Sequence, residues 1–307
     1  MSRVPVVKKP TVAASESALV LTTHSRILTV LHGDTEIQVT LAGRMQKDGG
    51  AAPAAGDRVR LTRAGEEWRV AGLLPRTTRM ARGDAENRTP QILAANAELA
   101  VVILAPQPLL DFNWAERLLL GAKVGGLTPL LLINKSDLLE DEDLLDRADY
   151  LKAIGQDWLL TSARTGAGLD ELRGRLEGRT ACLLGHSGVG KYSLLNVLLP
   201  GTDAKTGTIN RIGYGSHATS AAQFHSGSRF NLIDLAGLRE FTLHGLLRAE
   251  ELPEYFPELA EVRHRCRFRD CAHASEPGCA ILEVLNTLDP RRQSLFGQFQ
   301  KELLEKS

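Results

Sequence analysis

The stretch ACLLGHSGVGKYSLLNVLL, residues 181–199, decides how this chain is read. Its apolar opening, Ala181–Leu184, is a short strand, and Gly185-His186-Ser187-Gly188-Val189-Gly190-Lys191 runs from it into a helical segment ending near Leu199. Strand, glycine-rich loop and helix in that order suit a phosphate group. Glycines at 185, 188 and 190 let backbone N–H groups, with those of Ser187 and Val189, curl around phosphate oxygens. The helix N-terminus favours the anion, and Lys191 reaches the β- and γ-phosphates. A chance glycine-rich turn is the competing reading, and it leaves the strand and helix on either side without a purpose.

The pattern then calls for Ser or Thr directly after the lysine, where a hydroxyl binds Mg²⁺, and this chain has Tyr192. A phenol lies several ångströms farther from the backbone, and Ser193 is rotated about 100° around the helix. Mg²⁺ is therefore expected to be weakly held and hydrolysis slow.

Upstream, the apolar run Leu130–Ile133 ends in Asn134-Lys135-Ser136-Asp137, and Trp158–Leu160 ends in Thr161-Ser162-Ala163. An Asp carboxylate at 137 accepts both N1–H and N2–H₂ of guanine, a donor pair adenine lacks, while the Ala163 N–H can meet O6. Asn134 is expected to tie this loop to the phosphate loop. Taken alone, N-K-x-D is an ordinary strand-to-helix turn as often as a base site; the T-S-A one βα unit later shifts the balance. Downstream, Phe230–Ile233 delivers Asp234-Leu235-Ala236-Gly237, a D-x-x-G in which Asp234 holds a metal-bound water and Gly237 turns an N–H toward the γ-phosphate. Leu238 stands where a water-orienting Gln is common. His217, in the switch-like stretch Gly215-Ser216-His217-Ala218-Thr219-Ser220, is the local catalytic candidate beside Lys191 and Asp234, with a plain surface histidine as the competing reading.

The base-selecting motifs precede the phosphate loop, the reverse of the usual order, so this G domain is circularly permuted. Such a rearrangement keeps sheet neighbours when old termini lie close together. Around it, near-continuous apolar runs such as Leu99–Leu104 mark strands buried on both faces, and helical segments at Trp114–Lys123, Glu142–Ile154 and Leu169–Leu176 make the pattern α/β. From Ala18 to Leu74, short alternating strands such as Arg26–Leu31, Glu36–Leu41 and Trp68–Leu73 fit a small barrel of the OB or SH3 kind, with Gly49–Ala55 as an exposed loop.

The chain has 307 residues, room for about two to three domains, and Lys plus Arg equals Asp plus Glu at 37 each. No global field draws it to nucleic acid, so RNA contact has to come from local patches. Arg58, Arg60, Arg63 and Arg69 form one; Arg76, Arg79, Arg82 and Arg88 a second; Arg263, Arg265, Arg267 and Arg269 a third, each otherwise a solvated face. No apolar run approaches the roughly 20 residues of a membrane span, and no leader is evident at Met1–Pro10. A cytoplasmic address without membrane contact is expected, and a monomer suits a factor that docks on a larger particle. Cys266, Cys271 and Cys279 cluster with His273 in a Cys₃His set that suits tetrahedral structural Zn²⁺, with reduced surface thiols as the bland alternative.

With these residues in place, the order N-K-S-D, T-S-A, G-H-S-G-V-G-K, D-L-A-G, then C-x4-C-x-H-x5-C resembles the ribosome small-subunit-dependent GTPase A family, RsgA, over nearly the whole chain. Pro75-Arg76 and Leu93-Ala94-Ala95-Asn96 add to the likeness. The resemblance implies an OB-like barrel with a tail and basic connector (1–90), a permuted P-loop GTPase domain (91–245) and a helical zinc-binding module (246–307). It also implies GTP hydrolysis stimulated by the 30S subunit during its maturation, with docking on 16S rRNA. The family usually carries Ser or Thr at position 192, D-T-P-G at 234–237 and G-R-H-T-T-T at 215–220. His217 and Thr219 are retained in the last of these, and the departures suggest a diverged paralogue. The alternative is a factor that binds guanine nucleotide without effective catalysis.

Overall fold

A computed structural model describes residues 16–24, 27–42, 52–83, 89–108, 110–140, 143–200, 222–235, 238 and 240–305. The strands are β1 (Glu16–His24), β2 (Ile27–His32), β3 (Thr35–Leu41), β4 (Arg58–Ala64), β5 (Glu67–Leu73), β6 (Arg79–Arg82), β7 (Gln91–Ala95), β8 (Leu99–Leu104), β9 (Thr128–Ile133), β10 (Trp158–Leu160), β11 (Thr180–Gly185), β12 (Gln223–His225) and β13 (Asn231–Asp234). The helices are α1 (Phe112–Val124), α2 (Asp143–Ala153), α3 (Leu169–Leu176), α4 (Lys191–Leu198), α5 (Pro257–Ala260), α6 (Ala280–Leu285) and α7 (Pro290–Leu304).

Strands β1 to β5 close on themselves in the order β1-β2-β3-β5-β4-β1, with β3 and β5 parallel and the other pairs antiparallel. This is an OB-like barrel. Its interior is narrow because the inward positions carry small or β-branched residues, among them Ala18, Val20, Val30, Val39, Val59 and Val70, with Leu28 and Leu61 filling the remainder.

In the central domain β10, β9, β8, β11 and β13 run parallel in that order, and β11, which feeds the phosphate loop, lies between β8 and β13. The run Leu99–Leu104 is buried throughout because its two faces enter two different cores. Ala100, Val102 and Leu104 pack with α1, α2 and the C-terminal helices, while Leu99, Val101 and Ile103 pack with α3 and α4. Beyond β13 the sheet departs from the expected parallel form. Strand β12 pairs antiparallel with β13 and, through Thr22 and Gln223, continues into β1 of the barrel.

Arg76 and the end of the Gly49–Ala55 loop, read from sequence as exposed, belong to the joint between barrel and sheet. Asp57 is fully buried and takes Arg76 Nε on Oδ1 (2.7 Å) and Nη2 on Oδ2 (2.6 Å), while its Oδ2 also accepts the Ala54 N–H at 2.8 Å. Arg76 is thereby withdrawn from the basic patch assigned to it. The expected loop Gly49–Ala55 is corrected as well: its first residues lie outside the described ones, but Ala54 and Ala55 are buried, and Ala55 bridges to Ala94. Gly56 has φ +88°, and a Cβ there would lie 2.1 Å from the Ala95 carbonyl oxygen, so only glycine fits. Asn96 completes the joint, its Nδ2 donating to Gly56 O at 3.0 Å and its Oδ1 accepting from Thr77 N at 2.9 Å.

The C-terminal module leans on α1 through α7. Arg292 is buried; its Nη1 donates to Glu116 Oε2 at 3.1 Å, its Nε and Nη2 grip Glu258 at 2.9 and 3.2 Å, and its guanidinium lies 4.3 Å from the Phe256 ring centre. Burial raises the Glu116 carboxyl above its usual value, against the pull of Arg292 and Arg147. Such a pair contributes little against an apolar substitute but is costly to break from one side. Arg292→Met is expected to lower stability by about 3–5 kcal/mol, and adding Glu116→Leu to restore much of the loss. Urea denaturation of the two variants beside the parent protein measures both changes.

Candidate functional site

The functional groups gather at the carboxyl ends of β9, β10, β11 and β13, where the loops of a parallel sheet converge. Gly188 and Gly190 adopt φ of +85° and +97°, which turns the backbone between β11 and α4 into an open cradle. At Gly190 a Cβ would stand 2.4 Å from Asn134 Nδ2, so the close approach of a second loop adds to the conformational reason for glycine.

That second loop is Asn134-Lys135-Ser136-Asp137. Asn134 is 1% exposed; its Nδ2 donates to Val189 O at 2.9 Å, and its Oδ1 lies 3.4 Å from Thr161 Oγ1 and 3.3 Å from the Ala163 N–H. One amide thus joins the loops after β9, β10 and β11. Lys135, in the left-handed region at φ +59°, sends its Nζ over the phosphate loop to Gly188 O (2.7 Å) and Gln107 O (3.1 Å). Asp137 accepts from the Ser162 hydroxyl and from the Arg164 guanidinium.

On the phosphate side, Lys191 is buried and folds back so that Nζ donates to Gly185 O at 2.7 Å and His186 O at 3.0 Å. Those two carbonyls hold the ammonium beneath the cradle. Asp234 at the end of β13 is also buried, its Oδ1 has no hydrogen-bond partner, and burial pushes its carboxyl up to about 6 against the pull of Lys191. Burial likewise lowers the Lys191 pKa, with Asp234 opposing. An unpartnered carboxylate oxygen beside the phosphate loop fits a hydrated Mg²⁺, which would satisfy it.

Tyr192 is 53% exposed, and the charge of Asp234, followed by burial, raises its phenol pKa. The ring reaches outward, and Ser193 is exposed at the next position. Neither side chain supplies the short hydroxyl that a Mg²⁺ at this loop takes from Ser or Thr. His217, Thr219 and Gly237, named from the sequence, lie outside the described residues.

Two neighbours of the site escaped the sequence reading. The His186 ring stacks on Trp114 of α1 with centroids 3.8 Å apart at 25°, so the phosphate loop rests on the helix that carries Glu116. Burial lowers the His186 pKa, with Asp111 opposing. Nothing in the local sequence pairs residues so far apart. Arg164 was visible as the residue after T-S-A, but its contact with Asp137 depends on how two loops meet.

Away from the nucleotide loops, the ligand atoms of Cys266, Cys271, His273 and Cys279 all lie within 4.8 Å of one another. His273 Nδ1 is 3.4 Å from Cys279 Sγ and 3.7 Å from Cys266 Sγ. A tetrahedral ion with bonds of about 2.0–2.3 Å sets N-to-S edges of about 3.5 Å, so the spacing fits a four-coordinate metal with no open position. Burial pushes the Cys271 thiol up to about 12 and lowers the His273 pKa, which favours the neutral imidazole that ligates a metal.

A glycine-rich phosphate loop, an N-K-x-D loop bonded to it and a D-x-x-G strand on one parallel sheet define a P-loop GTPase, and their chain order defines a permuted one. A family model described as RsgA GTPase matches residues 73–244, and the chain belongs to that family. A small ribosomal subunit biogenesis GTPase RsgA from Azotobacter vinelandii is 39% identical over 264 residues, covering 83% of this chain and 76% of the relative. The protein of the same name from Pseudomonas aeruginosa is 39% identical over 242 residues, 76% of this chain and 70% of its own. Among solved structures, YjeQ from Thermotoga maritima superposes with a TM-score of 0.68 at 26% identity, over 95% of this chain and 100% of that one. YloQ, described as a circularly permuted GTPase, has the same fold, with a TM-score of 0.67 at 23% identity over 98% and 99% of the two chains.

Proposed function

We propose that this chain binds and hydrolyses GTP in the maturation of the small (30S) ribosomal subunit, docking on 16S rRNA through its barrel and its C-terminal module. The observation that carries the nucleotide part is the hydrogen bond from Asn134 to Val189, which sets a guanine-type loop and a phosphate loop at one fixed spacing. The small-subunit part rests on the names of the relatives.

In this reading Asp137 selects guanine, Ser162 and Ala163 complete the base pocket, and Lys135 braces it. The backbone from Gly185 through Ser187, Gly188 and Val189 to Gly190 cradles the phosphates, with Ser193, Thr219 and Gly237 as further contacts. Lys191 leaves its two carbonyls to neutralise developing charge on the β/γ oxygens. Mg²⁺, which Asp234 would help to hold through its unpartnered Oδ1, would supply positive charge against the negative charge developing on the phosphates. Asp234 orients its water shell, and His217 is the candidate for placing the attacking water. The working division is a barrel with its tail and connector in 1–90, the G domain in 91–245 and the metal module in 246–307. The protein acts as a monomer in the cytoplasm; among the described residues no helix is long and apolar enough to cross a membrane.

Tyr192 supports a second reading, a factor that binds guanine nucleotide but turns it over poorly. Phosphate release from GTP at saturating Mg²⁺, with and without purified 30S subunits, separates the two when run beside Tyr192→Ser. We expect slow intrinsic turnover, strong stimulation by 30S subunits and a further rise in Tyr192→Ser. No turnover in the parent with recovery in Tyr192→Ser would favour the second reading, and an unchanged Tyr192→Ser rate would refute the weakened metal site.

The Cys₃His cluster is suited to one structural Zn²⁺, whose loss would release the adjoining basic loop. Arg267 donates its backbone N–H to Gly278 O at 3.1 Å, so the knuckle holds it in place, and its guanidinium lies 5.4 Å from the centre of the exposed Phe268 ring. Arg263 is paired with Glu254, which leaves Arg265, Arg267 and Arg269 as the exposed cations of this patch. Chelation is expected to weaken rRNA binding and to make log affinity against log salt shallower by roughly 2–3, as loss of three phosphate contacts requires. Filter binding over a salt series measures it, and an unchanged slope would remove these arginines from the interface.

A further inference from the structure

The carboxylate read as the guanine selector already has a guest. Ser162 donates its hydroxyl to Asp137 Oδ1, and Arg164 donates Nε–H at 2.9 Å and Nη2–H at 2.5 Å to Oδ2. The Ser162 hydroxyl first, and Arg164 with it, holds the Asp137 carboxyl below its usual range. The Asp137 side chain is 12% exposed and the Arg164 side chain 72%, so an almost enclosed acceptor is covered by a cation whose stem lies in water.

The donors match those of the base. Guanine offers an aspartate N1–H and N2–H, two neighbouring donors on one planar N–C–N unit, and a guanidinium offers Nε–H and Nη–H on the same kind of unit. The lone pairs of Oδ2 cannot serve both. Lys135 is not a second competitor, because its Nζ is committed to Gly188 O and Gln107 O, and among the described residues Arg164 is the cation paired with Asp137.

We propose that Arg164 is a built-in competitor of guanine: it satisfies Asp137 in the empty pocket and must be displaced for the base to enter, so it sets the affinity and entry rate of the nucleotide. This rests on reading Asp137 as the base-selecting residue. Arg164 Nε–H and Nη2–H occupy Oδ2 of Asp137, the oxygen whose lone pairs an entering base needs. Being largely exposed, the pair is weak and yields readily to a base that brings phosphate contacts with it. Salt screens this ion pair, so its opposition to guanine fades as ionic strength rises.

The test compares full-length protein with Arg164→Ala by stopped-flow binding of a fluorescent GDP analogue at low and high salt. Arg164→Ala is expected to bind about 1.5- to 5-fold tighter at low salt, the range an exposed ion pair spans, with the gain in the association rate. The gap is expected to close toward unity at about 0.5 M salt, where the Debye length falls to about 4 Å. In ¹⁵N–¹H spectra the Arg164 Nε–H resonance is expected to move when GDP is added and to stay in place with pyrophosphate, which leaves the base pocket empty. An Arg164→Ala protein that binds GDP no tighter than the parent, or an Arg164 resonance unmoved by saturating GDP, overturns the proposal. Equal affinities of both proteins for GDP and ADP would instead overturn the reading of Asp137 as a guanine selector, and this proposal with it.

Discussion

The contact on which the site depends is the hydrogen bond from Asn134 Nδ2 to Val189 O. Base recognition and phosphate recognition are made by loops that leave different strands, β9 and β11, which are not neighbours but flank β8 on either side. The parallel registers fix where each loop starts; the amide fixes how far apart they end. Because the same side chain also meets Thr161 and Ala163, the loop after β10 joins the arrangement without another bridging residue. Nothing in this geometry depends on which segment is synthesised first. A permuted chain can therefore keep the site as long as β8, β9, β11 and β13 keep their order.

The same sheet ties the nucleotide site to the outlying units. Through β12 it runs into β1 of the barrel, and the joint of Asp57 with Arg76 and of Gly56 with Asn96 fixes the angle. On the other side α1 carries the load. Its Trp114 lies under His186 of the phosphate loop, its Glu116 meets Arg292, and its Arg117 meets Glu302, whose Oε1 also accepts the Leu243 N–H at 2.7 Å. From α7, Gln300 Nε2 reaches Ala272 O at 2.8 Å, between two members of the metal cluster. Side-chain contacts on α1 and α7 thus link the phosphate loop to the Cys₃His knuckle, the two helices carrying the connection between them.

How much was legible follows from the range of each interaction. Leu99–Leu104 announced a strand buried on both faces because both faces are apolar, and the phosphate loop announced itself because glycine, lysine and helix start are contiguous. The Tyr192 departure could be read for the same reason. The barrel could be placed but not distinguished from an SH3-like one, since its parallel β3–β5 pairing is a contact between segments far apart in sequence. Arg76 looked like surface charge because its partner Asp57 stands 19 residues away, and Ala54 and Ala55 looked like loop because small residues carry little pattern of their own. Arg164 was missed for a related reason. An arginine after a small-residue turn has no signature until the loop bearing Asp137 is set beside it.

The account stands most directly on Asn134. Substituting Asn134→Ala leaves the buried Val189 carbonyl unpaired and frees the two loops from one another. Nucleotide binding must then bring the freed loops to their spacing, and the bond's worth of about 1–3 kcal/mol falls on that step, a roughly 5- to 150-fold loss of GDP affinity by isothermal titration calorimetry with circular dichroism unchanged. A variant that keeps its fold and binds GDP as tightly as the parent would show that the spacing of the two loops is set elsewhere, and would contradict the account.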